Sequence, residues 1–161
     1  MFAMYQVSFM ISAPFIANFM SRIGRKNCVI FGYLIAIVSA LGFGGLSFVK
    51  ASPAPACESH SLMFWLAMGI RFLQGVGEAL VNTACFAVVT IEFPKDTTTY
   101  VGYLEMALGL GLTFGPALGS GFMTLFQDVF YTFLAFAFLL FLGLLSIIAG
   151  LPNSLNDPEI E

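Results

Sequence analysis

Five apolar runs, each long enough to cross a bilayer as a helix and each parted from the next by a short polar break, leave this chain few folds to choose from. A helix rises about 1.5 Å per residue, so about 20 mainly apolar residues cover a hydrocarbon core of about 30 Å. Runs of that kind occupy positions 1–20, 27–49, 62–91, 100–125 and 129–151. Strands of a membrane barrel would alternate apolar and polar residues over about ten positions, whereas positions 136–145 are apolar throughout. The expected fold class is an all-α membrane protein with five transmembrane helices.

Composition agrees. Charged residues make up 9% of the chain and hydrophobic ones 59%, against about 25% charged in soluble domains, so there is too little polar surface to face water. The bilayer is the first expected partner, and nucleic acid is not one. Orientation follows from the six basic residues, because cytoplasmic loops are enriched in Lys and Arg. With the N-terminus outside, Arg22, Arg25, Lys26 and Lys95 fall on the cytoplasmic side, Lys50 flanks an outer loop and Arg71 stays within a span. The C-terminus is then cytoplasmic. A secretory signal peptide would need a basic n-region, and no Lys or Arg precedes Arg22.

The breaks read as connectors. Ala51-Ser52-Pro53-Ala54-Pro55-Ala56 stiffens an outer loop. Cys57, Glu58 and His60 beside it lack the spacing of a metal site and are taken as solvated connector. Pro94 ends the third run, and Thr97, Thr98 and Thr99 offer hydroxyl caps for the next helix. Positions 152–161 carry Asp157, Glu159 and Glu161 and read as an acidic tail. No metal or cofactor is expected. Enzymatic activity is not expected either, because the one histidine, His60, lies in the outer loop and Ser120 has no base near it in sequence.

Chemistry concentrates in the third run. Arg71, Gln74, Glu78 and Asn82 are spaced three, four and four apart, which puts them on one stripe of a helix about 16 Å long. Ionisable groups inside a bilayer are costly, and usually face a water-filled pathway or a partner. The stripe is therefore a candidate substrate or proton pathway, with an interhelical polar clamp as the alternative. Arg71 and Glu78 lie about 10 Å apart along the axis, so they share a face without touching. Glu105 in the fourth run is a second intramembrane carboxylate, either a proton or cation site or an interfacial residue reaching the headgroups. In the same run Gly111, Gly115 and Gly119 recur every fourth position as a packing face, and Pro116 removes a backbone hydrogen bond and opens a kink.

At these residues the chain resembles the major facilitator superfamily of secondary transporters. The family's cytoplasmic loop signature G-x-x-x-D-R-x-G-R-R/K is met at Arg22, Gly24, Arg25 and Lys26, with Ala17 in place of the glycine and Ser21 in place of the aspartate. Its R-x-x-Q-G-x-G-x-A signature is met at Arg71, Gln74, Gly75, Gly77 and Ala79. Its antiporter signature G-x-x-x-G-P-x-x-G-G is met at Gly111, Gly115, Pro116 and Gly119, with Ser120 at the last glycine. The spelling looks closest to the drug:proton antiporters and the vesicular amine or polyamine transporters.

That resemblance implies a fold of twelve helices in two halves, with substrate between them near the midplane. The five runs would correspond to the second through sixth helices, positions 1–151 forming a partial N-terminal half. Function would then need the first helix and the C-terminal half, or another membrane subunit. It further implies a proton-coupling or cavity role for Arg71, a bend for alternating access at Pro116 and its glycines, and a cytoplasmic lock at Arg22, Arg25 and Lys26. Ser21 cannot make the charge pair of the family's aspartate. The expected function is proton-coupled antiport of small organic solutes, with a non-transporting membrane subunit or pseudotransporter acting through helix packing as the alternative.

Overall fold

Every break in the apolar pattern ends a helix. The computed structural model describes residues 2–50 and 56–150. Over them run α1 (Phe2–Ile23), α2 (Arg25–Lys50), α3 (Ala56–Glu92), α4 (Thr97–Phe126) and α5 (Val129–Gly150). The acidic tail and the proline-rich stretch at 51–55 lie outside the described residues, as do the side chains of Ser21 and Arg22.

Gly24 alone separates α1 from α2. Its φ of 89° lies in the left-handed region, which glycine enters without a Cβ clash. Its N–H closes α1 on the Met20 carbonyl at 3.0 Å, and its own carbonyl takes the Cys28 N–H at 3.1 Å to start α2. Lys26 is buried and donates from Nζ to the Ile148 carbonyl at 3.3 Å. It thus meets the last turn of α5, where unpaired carbonyls give a helix its negative end. The basic turn is seated on the bundle as well as being a connector.

The other breaks are equally local. Asp96 holds the N-cap position of α4 without a side-chain cap bond. The Thr97 hydroxyl, expected to cap α4, instead donates back to the Phe93 carbonyl at 2.7 Å, because that carbonyl is left over by the end of α3. Gln127 ends α4 in the left-handed region with its N–H on the Met123 carbonyl at 3.0 Å. Asp128 then caps α5, accepting the Phe130 N–H at 3.1 Å. Helix α3 starts at Ala56, six residues before the expected Leu62. Cys57, Glu58 and His60 therefore sit on helical backbone and not in a loop. Beyond Pro55 no proline or glycine interrupts the chain until Gly69, so nothing there opposes a helix.

Among the described residues four segments, Arg25–Ser47, Ser61–Glu92, Thr97–Phe126 and Val129–Gly150, are long and apolar enough to cross a membrane. Helix α1, expected as a further span, is 22 residues long, as α5 is. It packs beside α3 within the same bundle. Large apolar side chains cover the outside, with Met10, Phe15, Trp65 and Leu125 each roughly seven-tenths exposed or more. A surface of that kind belongs against lipid. The hydroxyls of Ser47, Thr113, Ser120, Thr124 and Ser146 each bond to a carbonyl one turn back on their own helix, so they present no unpaired group to hydrocarbon.

Helix α3 is the centre, packed against α1 on one side and α2 on the other, and α2 carries α5 on its far side. Glycine sets the closeness. A Cβ on Gly75 would lie 2.6 Å from the Tyr5 carbonyl, and one on Gly32 would lie 2.6 Å from the Gly77 carbonyl. Those backbones meet only because no side chain intervenes. Helix α4 is different. It touches α3 and α5 more sparsely and buries none of its residues. The packing face expected on Gly111, Gly115 and Gly119 is not used among the described residues. A Cβ on Gly111 or Gly115 would meet nothing within 4 Å, and one on Gly119 only the tip of Phe136 at 3.9 Å.

Candidate transport cavity

What those α4 glycines do border is a cavity. A space of about 980 Å³ lies among α1, α3 and α4, with Phe136 contributed by α5. Helix α3 lines it with Arg71, Gln74, Glu78 and Asn82, the four residues of the polar stripe, together with Val81, Cys85 and Phe86. Facing them on α4 are Leu104, Ala107, Leu108, Gly111, Leu112, Gly115, Pro116 and Gly119. The α4 positions recur at intervals of three and four, so they form one helix face. The stripe sits around the middle of the Ser61–Glu92 span, where a charge is furthest from bulk water.

Glu105 is not part of this site. It is exposed and is not among the residues that line the cavity, although its position three residues before Leu108 and seven before Leu112 puts it on the same face of α4. Of the two carboxylates, Glu78 lines the cavity and Glu105 does not. Helix α4 runs unbroken through Pro116 from Thr97 to Phe126. Pro116 has no N–H to offer the Leu112 carbonyl, and both residues border the cavity.

Inside the cavity the charges do not pair with each other. Arg71 donates from Nη1 to Oε1 of Gln74 at 2.9 Å, and its guanidinium carbon lies 4.6 Å from the centre of the Phe43 ring on α2. Phe43 is itself stacked on Phe133 of α5 at 5.6 Å, which fixes the ring beneath the cation. The buried Nε of Arg71 has no hydrogen-bond partner among the described residues. Glu78 accepts a hydrogen bond at Oε2 from the hydroxyl of Tyr5. Ser8, one turn further along α1 and fully buried, donates to the Phe72 carbonyl at 2.6 Å.

Sequence reasoning missed Tyr5, Gln6 and Cys85 as members of this site. Gln6 carried a signal, being polar within an apolar run. Tyr5 carried none, since a tyrosine near the start of an apolar run reads as an interfacial anchor. Only the placement of α1 against α3 turns its hydroxyl toward Glu78.

A cavity that carries ionisable side chains within a bundle of membrane-spanning helices is the kind of architecture found in membrane transport, because intramembrane ionisable groups usually face a water-filled pathway or a partner. The chain belongs to the Major Facilitator Superfamily, whose family profile matches residues 1–159. It is an integral multi-pass membrane protein of a transporter family. It is 30% identical over 73% of its length to multidrug resistance protein 2 of Bacillus subtilis, covering 26% of that protein. To the human MFS-type transporter SLC18B1 it is 28% identical over 88% of its length, covering 29% of that protein. To the class H tetracycline resistance protein of Pasteurella multocida it is 26% identical over 89% of its length, covering 32%. The chain thus spans about a quarter to a third of the length of these relatives. No solved structure matches it significantly.

Proposed function

We propose that this chain forms one wall of a proton-coupled antiport pathway for small organic solutes, amines among them. The observation that carries this reading is the convergence of Arg71, Gln74, Glu78 and Asn82 on one cavity of about 980 Å³, opposite the glycine and proline face of α4. Glu78 is the anionic group of the site. Ionised, it attracts an ammonium; protonated, it does not, so solute and proton compete for one carboxylate. Gly111, Gly115 and Pro116 are the segment of α4 that bends as access alternates. The N-terminus is outside and the C-terminus cytoplasmic, with the Arg25 and Lys26 turn on the cytoplasmic side. Further helices, of the same polypeptide or of another subunit, supply the opposite wall. No catalytic step is part of this function.

The test is binding with proton counting. The chain in lipid nanodiscs should bind a benzylammonium probe saturably and release protons as it does so, which a pH dye reports in weakly buffered solution. Glu78→Gln should abolish both. Binding without proton release would overturn the coupling, and loss of neither in Glu78→Gln would overturn the site.

A second reading is favoured by the openness of α4, whose Gly111 and Gly115 meet nothing within 4 Å among the described residues. In it the chain is a non-transporting subunit that docks α4 against another membrane protein. Co-purification of a defined complex that neither binds the probe nor releases protons would favour that reading.

A further inference from the structure

Glu78 carries two carboxylate oxygens, and the structure treats them unequally. Oε2 accepts from the Tyr5 hydroxyl, whereas Oε1 has no hydrogen-bond partner among the described residues. Tyr5 is held where it is. Its backbone carbonyl lies against Gly75, so close that a Cβ there would sit 2.6 Å away, and the buried Ser8 ties the next turn of α1 to the Phe72 carbonyl at 2.6 Å. Gly75 precedes Glu78 by three residues, on the same face of α3. The backbone that carries the Tyr5 hydroxyl is therefore held close against α3 beside Glu78.

Arg71 does not compete for the free oxygen. Its Nη1 is on Gln74 and its guanidinium lies over Phe43. The titratable residues lining the cavity besides Glu78 are Tyr5, Arg71 and Cys85, the last of them on α3. From α4 the residues lining the cavity bring no titratable group; Glu105, exposed on the same helix face, lies outside the lining.

We infer that Tyr5 is a specificity-determining residue of this site. By occupying one oxygen of Glu78 it leaves Oε1 as the one unengaged carboxylate oxygen, so the cavity favours organic cations that present one N–H donor on an apolar body. A tertiary ammonium satisfies one acceptor with one donor and buries the rest of its head. A primary ammonium would carry further donors into a cavity lined mainly by apolar side chains, where an unpaired donor is costly. A guanidinium, whose two parallel N–H groups match both oxygens of a carboxylate, loses that match when a phenol holds one of them. This role rests on the cation reading of Glu78 given above.

The experiment measures binding of benzylammonium, N,N-dimethylbenzylammonium, trimethylbenzylammonium and benzylguanidinium to the full chain in nanodiscs. These probes share one ring and differ in their N–H donors. Tyr5→Phe removes only the hydroxyl and frees Oε2. It should raise the affinity of benzylammonium relative to dimethylbenzylammonium about 3- to 10-fold, the worth of one added hydrogen bond. The trimethyl probe, with no N–H, should not join in that gain. An unchanged ratio in Tyr5→Phe, with binding still abolished by Glu78→Gln, would overturn the role of Tyr5 and leave the cation site standing. Absence of binding by every probe, or binding indifferent to Glu78→Gln, would overturn the cation reading and this role with it. Should Tyr5→Phe fail to fold, the wild-type chain decides the matter. Benzylguanidinium should then bind no tighter than the dimethyl probe, and a tenfold advantage for it would overturn the proposal.

Discussion

Glycine interrupts α3 and α4 in similar ways, at Gly75 and Gly77 on one helix and at Gly111 and Gly115 on the other, yet the two pairs do opposite work. On α3 the glycines are sealed. Gly75 admits the backbone of α1, and Gly77 admits Gly32 and Ile35 of α2, at distances that would put an added Cβ between 2.6 and 3.1 Å from its neighbours. On α4 the same residue borders a cavity, with nothing within 4 Å. Small residues at regular spacing permit close approach. Whether approach happens depends on a second helix arriving, and among the described residues one arrives at the α3 pair and not at the α4 pair.

The consequence is a division of labour. The seam of α1, α2 and α3 is rigid because backbone meets backbone and little can shift. Helix α4 is the loose wall, free to change its distance from α3 without unpacking a core. A cavity between a fixed wall that carries charge and a loose wall of glycine and proline suits a site that must hold a solute and later release it.

The contrast can be broken most directly at Gly75. Gly75→Ala should destabilise the bundle by about 1–3 kcal/mol, because the new methyl meets the Tyr5 carbonyl and the Ser8 Cβ, neither of them a flexible side-chain end. Thermal unfolding in mild detergent measures it, and a neutral outcome would mean that the seam is not rigid. Gly32→Ala should cost a similar amount. Combined with Gly77→Ala it should cost less than the sum of the two single changes, since both press on the same α2–α3 contact.

Tyr5→Phe should lower stability by about 0.6 kcal/mol, the mean worth of a polar contact between membrane helices, through loss of the bond to Glu78. Lys26→Met should cost about 0.3–1 kcal/mol by removing a buried cation from the end of α5. That change should loosen the end of α5 without altering probe binding, which hydrogen exchange and the binding assay together would show. Smallest of all, Gly111→Ala or Gly115→Ala should leave stability within about 0.5 kcal/mol of wild type. Either should still weaken binding of a bulky amine, because the methyl points into the cavity. A large stability loss there would show that α4 packs as tightly as α3 and erase the contrast.

Much of this was legible before any coordinates. Five apolar runs became five helices, with α5 starting at Val129 as expected and α3 gaining two turns at its start. The polar stripe of Arg71, Gln74, Glu78 and Asn82 came together on one cavity, because spacing by three and four fixes a face within any single helix. Glu105 was not legible. It shares a helix face with the lining residues Leu108 and Leu112, and the sequence does not say how far along that face the cavity extends. Tyr5 was hidden for the same reason, since its function depends on how α1 lies against α3.

The sequence by itself determined that this is a helical membrane protein of a transporter family, where its helices run, and that four polar residues share a face. Those properties follow from hydropathy, periodicity and motif spelling, which are local along the chain. Only the tertiary structure decided which glycines are packed and which are open, that Glu105 lies outside the cavity lining while Tyr5 holds Glu78, and that Lys26 closes the end of α5. Each of these is a contact between helices distant in sequence, set by which faces meet when the bundle assembles, and no pattern within one helix encodes the face of its neighbour.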